Sequence, residues 1–408
     1  MWRKYGSCDC VYKPGPRELK LLLRAPQWPA QALQPPTTTD HLTMVKLTSI
    51  GVFVSILPSL AFTPPPQSPF SLPPNQYGVP TELNSLANSS FHQDYHPLSE
   101  TNAFLFALAR AFPANVTLET IGYSAEGREI MAAAISRPRF RKKKTDKLKK
   151  KPRFVLMGAQ HAREWIATST ALYLSHALLT SETEPWSITR LLDEFDFYII
   201  PTPNPDGYHY TWVADRFWYK NRLPVPGNND CDGIDMNRNW GFSWEPSSSP
   251  NEGPCAAWYP GTRPFQAPEV KALADYFKEL KRVKVFVDLR SYGQMVSTPY
   301  SFSCDAVPPD EEDMLEAAHG AAAAVRLVHG TPMKAGMLCE TLYRAPGNVL
   351  DWMYVKRGVK YSYAVHLRDT GTYGYALPAS WIRPVGEETA SMVSYLVDFV
   401  SKQIKKKP

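Results

Sequence analysis

Short apolar runs that stop abruptly at polar or turn-forming residues punctuate this chain: "FVLMGAQ" from Phe154, "FDFYIIPTPNPDG" from Phe195, "VKVFVDL" from Val283 and "KYSYAVHL" from Lys360. Such runs are the signature of central strands whose far ends carry a site. Stretches with apolar residues at helical spacing lie between them. These are "LSETNAFLFALARAFP", which Pro113 terminates, then "ATSTALYLSHALLTS", "APEVKALADYFKEL", "EEDMLEAAHGAAAAVRLV" and a final amphipathic "ETASMVSYLVDFVSKQI". Strands alternating with helices predict an α/β fold: a single domain with a mixed, mostly buried central sheet flanked by helices on both faces. The 408 residues, 44% of them hydrophobic, are enough to bury a large core, and no internal repeat is visible.

The formal charge of +6 is misleading, because Arg137 to Arg153 holds eleven Lys/Arg against one Asp and the rest of the chain nets −4. The basic balance is one insertion, 137–153. It reads either as a solvated hairpin between two strands or as a contact for an anionic polymer. Residues 44–61 combine a Met, a Lys, an apolar run and the small-residue pattern Ser59-Leu60-Ala61, which predicts a secretory signal peptide beginning at the internal Met44. The run is too short and too Pro-interrupted for a membrane span. Residues 1–43, Pro-rich and carrying Cys8 and Cys10, read as a disordered or misannotated upstream extension. Residues 62–90 read as a Pro/Ser-rich linker, and 91–405 as the folded domain. The sequons at Asn88 and Asn115 agree with a secreted, glycosylated chain.

Without the two upstream cysteines, Cys231, Cys255, Cys304 and Cys339 remain, an even count that behind a signal peptide suggests two disulfides. Three connectivities are possible, and local pairing is the simplest. The chemistry concentrates in "MGAQHAREWIA", where His161 and Glu164 stand at the i, i+3 spacing that lets one turn aim both at a single metal ion. A hydrolytic zinc needs a third protein ligand, an open coordination position, a carboxylate base and a cation for the developing oxyanion.

The motifs "EGREI", "HAREWI", "NPDGY", "DRFWYKNR", "GIDMNRNW", "YPG", "SYGQ", "LYRAPGNVLDW" and "LRDTGTYGYALPAS" occur in order over some 300 residues. In them the chain resembles the zinc metallocarboxypeptidases of the A/B type, which remove one C-terminal residue from a peptide with a zinc held by His, Glu and His. Through that resemblance His161 and Glu164 match the first two metal ligands, while Arg290 holds the position of the third. His366 holds that of the catalytic base and Tyr219 that of the oxyanion arginine. Each replacement removes the charge type or lone pair the chemistry requires, since a guanidinium stays protonated and has no lone pair to give. The substrate-holding residues match the family: Asn237 and Arg238 for the terminal carboxylate, Tyr343 for the mobile tyrosine, Arg163 for a secondary contact. Leu350 matches the floor of the side-chain pocket, where an apolar residue implies apolar C-terminal residues. The resemblance also implies the pairs Cys231–Cys255 and Cys304–Cys339.

These replacements bring the chain closer to the inactive fungal metallocarboxypeptidase-like proteins associated with cell walls. The expected function is that of a secreted pseudoenzyme, extracellular and related to the cell wall or vacuole, that retains a cleft for peptide or protein C-termini. An inhibitory propeptide is not expected. Asn237 and Arg238 read alternatively as a structural network that outlived activity. The alternative function is an active zinc carboxypeptidase with a rebuilt metal site of His161, Glu164 and His366.

Overall fold

The computed structural model of the protein describes residues 81–138, 150–225, 231–247 and 253–406. The upstream extension, the signal-like run, most of the Pro-rich linker and the centre of the basic insertion lie outside the described residues.

Eight strands form one mixed sheet: β1 (Val116–Tyr123), β2 (Glu129–Ile135), β3 (Arg153–Met157), β4 (Asp196–Ile200), β5 (Val283–Arg290), β6 (Met295–Thr298), β7 (Lys334–Met337) and β8 (Tyr361–His366). Their order is β1-β2-β4-β3-β5-β8-β6-β7. The central four, β4-β3-β5-β8, run parallel, and antiparallel pairing begins where β2 meets β4 and where β6 meets β8. The central strands are buried on both faces. In β3, Phe154 and Leu156 belong to one apolar cluster and Val155 and Met157 to the other, the period-2 alternation of a pleated strand.

Helices α1 (Leu98–Ala111), α2 (Trp165–Ala177), α5 (Glu311–His329) and α8 (Ile382–Lys406) cover the first face. The second face is covered by α4 (Pro268–Glu279) and α7 (Val349–Val355), together with the buried Trp240. Two short helices complete the set: α3 (Pro205–Val213) follows β4, and α6 (Leu338–Thr341) follows β7. Among the described residues no helix is long and apolar enough to cross a membrane.

Two features at the ends of elements differ from the sequence reading. Residues 81–90, expected as the end of a linker, bury Leu83 and Leu86 in the first core cluster. Arg383 of α8 donates to the carbonyls of Leu86 and Ser89, so apolar burial and charge-assisted hydrogen bonds fix this segment together. The basic insertion does not join a hairpin, because β2 and β3 both flank β4 and do not pair with each other. Its described ends are anchored: Arg137 pairs with Glu182 and Asp193, and the buried Lys151 donates to the carbonyl of Leu192 at 2.7 Å. Both sequence-derived disulfides are present, Cys231–Cys255 and Cys304–Cys339.

One glycine positions the site directly. Gly158, just past β3, donates its N–H to the carbonyl of Ile200 at 2.8 Å, and a Cβ there would collide with the carbonyl oxygen of Pro201. Only glycine lets the "MGAQHARE" backbone leave the sheet so close to β4.

Candidate functional site

The carboxyl ends of β3, β5 and β8 converge on one cluster. His161 and Glu164 lie on the turn that carries β3 into α2, Arg290 ends β5, and His366 ends β8 opposite Arg290 in register. Each is at most 6% exposed. The Arg290 Nε donates to Glu164 Oε2 at 3.1 Å and its Nη1 to Asp288 Oδ2 at 3.3 Å. Its Nη2 contacts His161 Nδ1 and lies 3.5 Å from Glu164 Oε1. On the other side of the imidazole, His161 Nε2 lies 2.8 Å from Asp235 Oδ1. One proton arrangement satisfies the group: Nε2–H donates to Asp235 and the bare Nδ1 accepts from the guanidinium.

The electrostatics follow from burial and this one cation. Burial alone would raise Glu164, yet the Arg290 cation holds its carboxyl down to about 2. Burial raises Asp288 to about 6, with Arg290 offsetting only part of the effect. Burial and the Arg290 charge push His366 down to about 3, so it is a neutral imidazole, and its Nδ1 meets no hydrogen-bond partner among the described residues. The Tyr219 ring stacks on His161 with centroids 3.7 Å apart. Burial and Asp235 push its phenol well above the ordinary range, so it keeps its proton.

A zinc ion does not fit this donor set. The Arg290 guanidinium contacts both His161 and Glu164, whose Nδ1 and Oε1 are themselves 3.1 Å apart, and it engages the Nδ1 lone pair that a metal would use. Among the described residues no three His, Cys, Asp or Glu side chains converge to hold a metal. The triad His161, Glu164 and His366 therefore does not assemble. The cation that engages the first two is part of the chain.

Above the cluster opens a cleft of about 560 Å³ lined by Arg163, Tyr219, Arg238, Trp258, Tyr343 and Tyr375, among others. Tyr219, Arg238 and Tyr343 also wall a water-sized space of about 20 Å³ that reaches Arg290, His366 and Asn237. Arg163 stacks over the rings of Tyr219 and Tyr375 at 4.6 and 4.0 Å. Arg238 lies over the half-exposed Tyr343 ring at 5.4 Å, and among the described residues its guanidinium makes no hydrogen bond or ion pair. Asn237 accepts at Oδ1 from the Val349 N–H at 3.0 Å and from Gln160 at 3.3 Å, which leaves its amide N–H₂ as the free donor. The bond from Val349 of α7 gives Asn237 a structural role, which the Arg238 guanidinium does not share.

Leu350 does not reach the cleft. It is fully buried in a small cluster with Leu338, Ala345 and Ala364, and Leu338 and Ala345 line the inner space in its place. Asn348 caps α7 by accepting from the Leu350 N–H at 2.9 Å, and the Leu350 side chain packs into that cluster. Of the sequons, Asn88 is exposed, whereas the Asn115 amide donates to the carbonyl of Ser136 at 3.0 Å. Sequence reasoning passed over Asp235 and Asp288. The only available signal was their place inside "GIDMNRNW" and next to Arg290.

The model of the zinc carboxypeptidase family (peptidase M14) matches residues 101–392. The inactive metallocarboxypeptidase ecm14 of Sclerotinia sclerotiorum is 39% identical over 336 residues, covering 77% of this chain and 55% of that protein. Its counterpart from Ajellomyces dermatitidis is 37% identical, covering 78% and 56%. The chain thus spans about half the length of these curated relatives. Among solved structures, bovine thrombin-activatable fibrinolysis inhibitor in complex with tick carboxypeptidase inhibitor matches with a TM-score of 0.68 and 34% identity, covering 77% of this chain and 100% of that one. The carboxypeptidase A of Helicoverpa armigera matches with a TM-score of 0.69 and 27% identity, covering 79% and 77%. Fold and sequence agree, and the chain belongs to the zinc carboxypeptidase family.

Proposed function

We propose that this protein is a metal-free, catalytically inactive member of its family that binds peptide or protein C-termini in the cleft above Arg290. The observation that carries the reading is the guanidinium of Arg290 bonded to both His161 and Glu164, where a zinc enzyme of this family needs its ion. The relatives named as inactive metallocarboxypeptidases support it. The neutral His366 and the protonated Tyr219 supply neither a carboxylate base nor a cation. In this reading Arg238 and the Asn237 amide grip the terminal carboxylate, and Tyr343 and Arg163 flank the preceding residues. The inner space is water-sized, so the last side chain lies in the larger cleft, where the rings of Trp258, Tyr343 and Tyr375 favour an apolar one.

Secretion and a cell-wall or vacuolar role are part of the same proposal. The signal-like run at 44–61, the sequon at Asn88 and two disulfides support an oxidising compartment.

The test is fluorescence anisotropy with peptides ending in Leu or Phe, as free acid and as amide, with and without chelator. Binding of the acid should be indifferent to chelator and at least about tenfold weaker for the amide or for Arg238→Ala, the loss of a charge-assisted pair. Chelator-sensitive release of the terminal residue, or equal binding of acid and amide, overturns the proposal.

A further inference from the structure

At the opposite end of β5 from Arg290 lies a second cavity, of about 230 Å³, walled by Lys281, Arg282, Lys284 and Arg357 over an apolar floor that includes Phe277 and Met353. An eight-residue strand rising about 3.3 Å per residue puts it about 23 Å from the cleft's cation, at the amino end of this central strand. No carboxylate lines it. Its cations differ from their neighbours in this respect, since Lys271 and Lys278 pair with Asp275, and Lys360 with Asp310 and Asp313.

The four cavity cations are held by backbone carbonyls or by nothing. Arg282 donates from Nε to the carbonyl of Lys151 at 3.1 Å. Arg357 donates from Nε to Phe277 and from Nη2 to Lys278, at 3.0 and 3.1 Å. Lys281 Nζ lies 3.4 Å from the Lys278 carbonyl, and Lys284 is exposed and, among the described residues, makes no hydrogen bond or ion pair. Carbonyls orient these guanidiniums without neutralising them, so both Nη groups of Arg282 and the Nη1 of Arg357 remain donors. The end of α4 would otherwise repel an anion, but Arg357 and Lys281 cover its last carbonyls. Arg282 also sits at φ +61°, a left-handed conformation that costs an L-residue and that glycine or asparagine would take more easily.

We propose that this cavity is a phosphate-binding site, taking the group either as the free anion or borne on an ester, independently of the peptide cleft. Two pre-oriented guanidinium edges and two exposed ammonium groups suit a multiply charged tetrahedral oxyanion, which accepts from forked donors. The fold would then carry two recognition ends, one for a peptide carboxylate and one for a phosphate.

Calorimetric titration of the whole protein with inorganic phosphate and, in parallel, with a hexose 6-phosphate tests the assignment. At least one should bind, more weakly as salt rises. The double variant Lys281→Gln, Lys284→Gln changes two exposed side chains that form no ion pair among the described residues, and should lose at least tenfold in affinity. Arg282→Gly, which relieves the left-handed backbone, should lose as much while unfolding no sooner. Arg238→Ala should bind phosphate as the wild type does, so failure of the peptide-binding proposal leaves this one standing. Tighter binding of the ester assigns an ester-borne group, and equal binding assigns the phosphate alone. Absence of binding by the wild type, affinity unmoved by the double variant, or loss only when the lysines at 142–149 are replaced by glutamine overturns the proposal.

Discussion

Removing the Arg290 guanidinium strands Glu164 and Asp288 as buried carboxylates without a cation, and such a loss typically costs about 3–5 kcal/mol. Arg290→Ala should lower the urea midpoint accordingly. Arg290→His restores a lone pair at the strand end, so the variant should retain zinc through dialysis while still failing to hydrolyse peptides, because His366 and Tyr219 are unchanged. Stoichiometric zinc in the wild-type protein would refute this. The same cluster predicts an unusual pH response. His366 stays neutral down to about 3 in the folded state, so as pH falls through its ordinary 6.5 the unfolded chain takes the proton first and stability is lost. Asp288, held up at about 6 against an ordinary 3.8, is protonated first in the folded state, so stability is gained as pH falls below 6. Between pH 7 and 5 the two amount to about 2 kcal/mol lost and about 1 kcal/mol gained. Glu164 enters only below its ordinary 4.5. His366→Gln should therefore flatten the fall in stability from pH 7 to pH 5, the remainder coming from His92 and His176, which burial also holds below the ordinary imidazole range, and Asp288→Asn should steepen the fall. Urea midpoints at the two pH values read both slopes.

At the scale of the element, the segment before α1 behaves as part of the domain. Leu86 is 1% exposed and Arg383 grips the carbonyls on either side of it. Leu86→Ala should cost about 2–5 kcal/mol, as for a core leucine, whereas a linker residue would register within about 0.5 kcal/mol. The segment was illegible in the sequence because its burial comes from two isolated leucines without periodicity, fixed by a partner some 300 residues away. The central strands were legible for the opposite reason: β3, β4, β5 and β8 are buried on both faces and read as unbroken apolar runs. Strand β1 alternates with exposed positions, and β6 and β7 are four residues each, too short for any pattern to stand out. Within the site, Arg290, His366 and Tyr219 could be found because ordered motifs frame them. Asp235 could not, since its role is defined only by a 2.8 Å contact with His161 across 74 positions of chain.

For the molecule as a whole, the two disulfides close separations of 24 and 35 residues, each worth about 3–4 kcal/mol in the chain-entropy model. Reduction should lower the melting temperature measurably. Loss of Cys304–Cys339 should also weaken peptide binding, since Cys339 sits on α6 beside Leu338, which lines the inner space. Intact mass under non-reducing conditions checks that both bridges are present. The ion pair between Arg290 and Glu164 has one further consequence, for supply. A fold whose central cation is a dissociable ion gains stability by mass action, by an amount that follows the free ion concentration around it. Here the cation is translated with the chain, one per molecule, at a fixed distance of 3.1 Å from its carboxylate. Melting curves should superimpose with and without chelator, and the yield of folded protein should not depend on how much zinc the producing cell has to offer.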